Sequence, residues 1–267
     1  MGKIKTLINR IISDYFLKNR MDVYEKIISS AIEKDYEFVS HKDFYELVKN
    51  NELVGKKLFL IRHDIDTDPK LSYQWLKVEE KYKVKTTYYF RLKTLDFKLM
   101  NFIHQSGIHC GYHFEEIATY AKKYNLKNLA ILRSKYSEVE QDFKKNLKEI
   151  NSKLNFKIES IASHGDFANR IFGASNFDFI NQELLKETDL LFECYDPLFI
   201  DNFTTIISDY EYPTFYRGNK NVLQAIEDND QIIHFLVHPK HWRSNWYWNT
   251  KEAFNRLIEG IKYRNAK

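Results

Sequence analysis

Cysteine is scarce in this chain of 267 residues, with two in all, and so are proline, with four, and glycine, with eight. Cys110 and Cys194 stand far apart in no Cys-x-x-Cys spacing, which argues for reduced, buried thiols over a disulfide or a zinc pair. With so little proline and glycine there is no low-complexity linker, and no internal repeat is evident. Long hydrophobic runs are missing too. No stretch approaches the ~20 residues of a membrane span. Arg10 separates Leu7-Ile8 from Ile11-Ile12, so no secretory segment is expected and the expected location is cytoplasmic. Basic excess is confined to one place: of a net charge of +4, residues 1–20 supply all, holding five basic residues against Asp14 alone. A nucleic-acid partner is therefore not expected.

What the chain does contain is aromatic residues, at 16%, and a regular alternation of apolar patterns. Residues 4–16 place Ile4, Leu7, Ile8, Ile11, Ile12, Tyr15 and Phe16 on one helical stripe. With its basic opposite side, this helix either packs on its own domain, the commoner outcome, or rests on an anionic membrane surface, the only membrane contact expected. Helices over 22–34 and 41–50, the latter opened by Ser40, precede the first strand. Strands are then expected over 57–62, 86–92, 107–112, 158–163, 190–194, 204–208 and 232–237. Helical patterns separate them at 70–83, 95–105, 115–124 and 127–150. Strands alternating with helices predict an α/β fold, a distorted (β/α) barrel of about seven parallel strands. Residues 1–52 form its helical extension and residues 53–267 the barrel.

Ionisable residues gather where these strands end. The first ends in Arg62-His63-Asp64-Ile65-Asp66-Thr67-Asp68-Pro69, with three carboxylates and an imidazole within six residues. Such crowding needs a bound cation or a charged substrate to offset the repulsion. Asp68 before Pro69 is read separately, as turn and helix-start chemistry. Seven of the nine histidines lie in or beside strand ends, with only His41 and His104 outside them. In a (β/α) barrel those ends converge on one face. Parity puts Asp64 with Asp66, His109 with His113, and His234 with His238. Oxygen and imidazole ligands from separate strands suit Zn²⁺ or a similar divalent ion, and Asp66, His113 and His164 are the candidate set.

Arg62-His63-Asp64-Ile65-Asp66, Thr87-Tyr88-Tyr89-Phe90-Arg91, Gly111-Tyr112-His113-Phe114-Glu115, Ser163-His164-Gly165, Ile207-Ser208-Asp209 and Leu236-Val237-His238-Pro239 resemble, in order, a branch of the polysaccharide deacetylase superfamily. These are the NodB-like enzymes, carbohydrate esterase family 4. The resemblance runs from about Tyr24 to Trp242. It implies metal-dependent removal of an acyl group, usually acetyl, from an amino sugar, with an N-acetylated saccharide as substrate. It also implies Asp64 as general base, Asp66 and His113 as metal ligands, and His238 as general acid, with Asp209 orienting an imidazole. The family's adjacent Asp-Asp pair is spread here to Asp-x-Asp, so the two aspartates are open to exchange of roles. Its second histidine, four residues after the first, is replaced by Ile117. His164 is the candidate replacement, Glu115 the second, and loss of the metal the third.

Trp242, Trp246, Tyr247 and Trp248 follow His238 closely and could form a sugar-stacking wall, Trp242 first among them, or a loop packed on the rim. Arg62, Arg91 and Arg170 could hold a phosphate or carboxylate of the substrate, or pair with Asp64 or Asp209. Hydrolysis of a formyl or cyclic amide, and a barrel that binds sugar without metal, are the rival readings.

Overall fold

The computed structural model describes residues 2–263. Nine strands make one sheet: β1 (Glu37–Phe38), β2 (Leu58–Ile65), β3 (Thr87–Phe90), β4 (His109–Phe114), β5 (Ser160–Ser163), β6 (Phe192–Glu193), β7 (Thr205–Asp209), β8 (Tyr216–Arg217) and β9 (Ile232–Val237). Their order is β6-β5-β4-β3-β2-β9-β7-β8. Every pairing is parallel except β7 with β8. The sheet curls as a distorted barrel, but among the described residues no pairing joins β6 to β8, so the barrel stays open there. No helix among these residues is long and apolar enough to cross a membrane.

The seven expected strands are all present; β1 and β8 are additional. Both have only two residues, too short for alternation to show. β9 runs along β2 from Leu58 to His63, while β1 pairs at Leu58 and Phe59 and β3 from Arg62 onward. β1 and β3 therefore share the other edge of β2, one at each end. Just after β1 the chain turns into the helix His41–Lys49, whose start is fixed by a capping box between Ser40 and Asp43.

Alternation along β2 sorts its side chains. Phe59, Ile61 and Ile65 join the large core between sheet and helices, whereas Leu58 and Leu60 join a smaller cluster inside the barrel. Arg62 and Asp64 continue the inner side. His63 points the other way, into the helix layer. Its Nε2 lies 2.8 Å from Glu79 and 3.2 Å from the Tyr24 hydroxyl, and its ring stacks on Tyr88 at 4.1 Å. His63 thereby ties the helices Met21–Glu33 and Ser72–Tyr82 to β2 and stays out of the site.

The barrel floor is polar and closed by its own hydrogen bonds. His41 Nε2 and His234 Nε2 are 3.1 Å apart, the Cys194 thiol donates to Tyr89 Oη at 3.1 Å, and Tyr89 meets Ser160 at 3.0 Å. Burial pushes the His234 imidazole down to about 3, so this pair is neutral. Both cysteines are free and buried. Gly111 admits the Tyr89 ring to this floor: a Cβ there would stand 2.2 Å from Tyr89 Cε1 and 2.7 Å from the Ser160 carbonyl oxygen. Because one of those neighbours is backbone, Gly111→Ala should cost about 1–3 kcal/mol by overpacking. Denaturant unfolding measures it; an unchanged midpoint would contradict the packing described.

On the N-terminal side the stripe divides: Tyr15 packs edge-on against Trp246 at 5.3 Å, while the stripe residues up to Ile11 meet solvent. The helix Gly2–Ile11 ends in a single wide turn, Ile12–Phe16, and leaves Ile4, Leu7, Ile8 and Ile11 exposed. A stripe reveals that a helix has an apolar side, not what that side meets. Asp68 does begin a turn with Pro69 in the first position, yet its side chain caps nothing. Arg243 donates to it instead at 2.6 Å, joining the first motif to the segment after β9.

Candidate active site

The parallel strands deliver their C-terminal ends to one cleft, lined by Asp66, Glu115, His164, Asp209, His238 and Arg170 among others. Asp64 and His113 lie beneath it, both buried. Each expected ligand comes from a different strand end: Asp66 follows β2, His113 belongs to β4, and His164 follows β5. These three present ligand atoms that all lie within 4.8 Å of one another. Ile117, which stands where the resembled family has its second histidine, is buried in the helix-side core, and His164 reaches the cleft from another strand.

The donor set fits a cation on chemical grounds. His113 Nδ1 is 2.8 Å from the Ala162 carbonyl, which can only accept, so that nitrogen carries the proton. In the neutral ring Nε2 then offers a lone pair, and it faces Asp64 Oδ2 at 3.3 Å and Asp66 Oδ1 at 3.4 Å. Three acceptors face one another, a repulsion that a shared cation or proton removes. His164 has a carboxylate at each ring nitrogen, with Nε2 3.4 Å from Asp66 and Nδ1 3.3 Å from Glu115. Burial works against charge on both, but Asp66 raises the His164 pKa, and His164 with His113 and Arg91 holds Asp66 well below the usual carboxylate range. Two other groups have similar spacing, Asp209–His238–His241 and Glu115–His164–Asp166. Their carboxylates are already engaged. Glu115 is gripped by Arg91 through Nε at 3.0 Å and through a second guanidinium nitrogen, and Asp166 accepts from Lys122 at 2.8 Å. Between His164 and Glu115, the histidine is thus the freer third ligand.

Asp64 sits where Arg62 can clamp it, with Nε donating to Oδ1 at 2.7 Å and Nη2 to Oδ2 at 2.8 Å. Burial would raise this carboxyl, and Arg62, His113 and His238 together bring it below its ordinary value. It is a carboxylate at neutral pH. His238, placed by the turn after β9, points Nε2 at Asp64 Oδ2 from 4.0 Å and gives Nδ1 to Asp209 at 2.7 Å. Burial disfavours its charge, but Asp209, helped by Asp66 and Asp64, pushes its pKa up to about 9. Asp209 also accepts from the His238 backbone at 2.6 Å, from His241 Nδ1 at 2.9 Å and from Trp242 Nε1 at 2.8 Å. Burial notwithstanding, His241 and His238 keep it well below the carboxylate range.

Of the two roles open to Arg62, Arg91 and Trp242, substrate contact or pairing and packing, this arrangement favours the second. Arg62 and Arg91 are buried and spent on Asp64 and on Glu115, so neither guanidinium is free for a ligand. Trp242 is 0% exposed: it packs edge-on against Tyr24 at 5.6 Å, under the Arg20 guanidinium at 4.9 Å. The turn Pro239–His241 folds the chain back, which puts the indole behind Asp209 and away from the cleft. Arg170 does line the cleft and is exposed. Sequence reading left His241 without a role, although its place three residues after His238 carries the signal. It also missed that the helix Trp246–Lys262, capped by Asn245, borders the cleft with Glu252, Arg256 and Glu259.

No protein-family model and no curated protein matches this chain. Solved structures of similar shape exist. One is BA3943, described as a CE4 family pseudoenzyme from Bacillus anthracis, at 13% identity, covering 80% of this chain and 63% of that one, with a TM-score of 0.44. This chain therefore spans less than two thirds of that protein's length. A second is the Streptococcus pyogenes deacetylase PplD in complex with acetate, at 14% identity, 67% and 77% coverage and a TM-score of 0.45. A third is the peptidoglycan deacetylase PdaC from Bacillus subtilis, at 12% identity, 79% and 98% coverage and a TM-score of 0.36.

Proposed function

We propose that this protein is a metal-dependent amide hydrolase that removes the acetyl group from an N-acetylated amino sugar, in the synthesis of a surface polysaccharide. The observation that carries the reading is the unprotonated face of His113 turned on Asp64 and Asp66, with His164 closing the group and His238 beside Asp64. A divalent ion held by Asp66, His113 and His164, with Zn²⁺ the best match to such donors, would polarise the amide carbonyl and make water more acidic. The chain's own residues supply the remainder. Asp64 Oδ2 takes the proton of the attacking water while Arg62 keeps the carboxylate oriented. His238 Nε2 gives a proton to the departing amine, which leaves poorly as an anion. Asp209 keeps that imidazole charged and aimed. Arg170, exposed at the cleft, is placed for a phosphate or carboxylate on the sugar.

The test is release of acetate from N-acetylated saccharides, together with metal analysis of protein purified without chelator. About one equivalent of divalent metal is expected, lost in His113→Ala and in His164→Ala. A substrate panel including formyl and cyclic amides separates this reading from other hydrolases. The buried Ile117 in place of a second histidine favours one competitor, a barrel that binds sugar without metal. Metal below about a tenth of an equivalent, with no gain on adding Zn²⁺, would establish that competitor.

A further inference from the structure

The helices at the two ends of the chain turn apolar residues away from the barrel. On Gly2–Ile11, Ile4, Leu7, Ile8 and Ile11 fall three and four residues apart and are 42–67% exposed. The helix Trp246–Lys262 is reversed from the usual surface helix, which turns its apolar side inward. Its polar side borders the cleft, while Tyr247, Phe254, Leu257 and Ile261 share the outward side at 61–69% exposure. The two apolar sides meet at Phe16 and Trp246, both more than 60% exposed, with ring centroids 6.1 Å apart. Trp246 Nε1 donates to the Tyr15 carbonyl at 3.1 Å and fixes that junction.

We propose that this face docks on the surface of an anionic lipid bilayer. Its charge selects that occupant. Lys5, Lys18 and Arg10, the last beside Asp14 at 3.6 Å, are exposed around the N-terminal helix, and the exposed Lys251 and Lys262 flank the apolar side of the C-terminal helix. The carboxylates of that helix, Glu252 and Glu259, turn to the cleft instead. Anionic headgroups attract such a rim, and Trp246 and Tyr247 are the side chains that settle at a headgroup boundary. A second copy laid on the same face would bring two basic rims together, which is repulsive. The inference uses none of the hydrolytic residues. If both readings hold, the cleft opens beside the lipid headgroups, bordered by the inner side of the same helix.

Co-sedimentation of the full chain with vesicles tests the proposal without reference to hydrolysis. Vesicles of equal parts phosphatidylglycerol and phosphatidylcholine should bind the protein, vesicles of phosphatidylcholine alone much less, and added salt should weaken the former. Leu7→Asp with Ile11→Asp, and separately Phe254→Asp with Leu257→Asp, should each reduce partitioning by about tenfold or more. All four residues are exposed, so melting curves should stay unchanged and loss of binding is then not loss of fold. No sedimentation with phosphatidylglycerol vesicles, or equal binding to neutral ones, would overturn the proposal. A dimer seen by light scattering that the same substitutions dissociate would overturn it in favour of a second copy.

Discussion

Asp64→Asn should lower the rate of acyl release by about 10²–10⁴ while leaving bound metal near one equivalent. The two outcomes separate on what else each aspartate meets. Both face His113 Nε2, but Asp66 also meets His164, whereas Asp64 is held by Arg62 and faces the His238 ring. An amide in place of the Asp64 carboxylate can hold a water but cannot take its proton. The substitution also leaves the buried Arg62 guanidinium without its charged partner, a change that costs about 3–5 kcal/mol when a buried pair is broken. A lowered melting temperature is therefore part of the expected result, and rates are to be compared well below it. Loss of metal with Asp64→Asn, and its retention with Asp66→Asn, would mean that the two aspartates have exchanged roles.

Asp209→Asn should move the alkaline limb of the pH–rate profile to lower pH. In the native protein His238 stays protonated up to about pH 9 because Asp209 outweighs the effect of burial. A general acid works only while protonated, so activity should fall as pH rises through that value. Without the Asp209 charge, burial acts against a ring whose ordinary pKa is about 6.5 with only Asp66 and Asp64 opposing it, and the limb should move down from about 9 toward that ordinary value. Stability should follow the same sign. A pKa raised on folding contributes stability that is fully present below about pH 6.5 and is lost as pH rises through about 9. Asp209, lowered on folding, contributes stability above its unfolded pKa that is lost as pH falls through its folded one. The two statements describe one coupled interaction. Urea unfolding of both proteins from pH 5 to pH 10 measures it; parallel curves would show that Asp209 holds only the backbone.

The barrel and the convergence of charged residues at its rim were legible because both follow from order along the chain. A buried strand that ends in ionisable residues can be seen one strand at a time, and His113, His164 and His238 each come from such an end. What was hidden depends on partners distant in sequence. Nothing near Arg91 tells that Glu115 occupies it, nor does anything near Trp242 tell that Asp209 lies before it and Tyr24 beside it. His63 shows the limit of motif reading. It stands beside Asp64, yet one step of strand parity sends it to the helices. The surroundings of the N-terminal helix stay open in the sequence for a related reason: amphipathicity fixes which residues share a side, and only the folded chain decides what that side touches.

The sharing of one edge of β2 between β1 and β3 bears on how such a chain can change over evolutionary time. Residues ahead of the first long strand could have been an appendage, gained or lost as a cassette. Instead they donate hydrogen bonds to the Lys57 and Phe59 carbonyls, and Tyr24 from the same segment meets Glu79 and His63 behind β2. Recombination at that boundary would uncover a strand edge and take one donor from a buried carboxylate, leaving it to His63 and Tyr88. Inheritance of the segment and of the barrel is thus linked, and new specificity is more readily acquired at the cleft, through Arg170 and the C-terminal helix, than by exchange of whole parts.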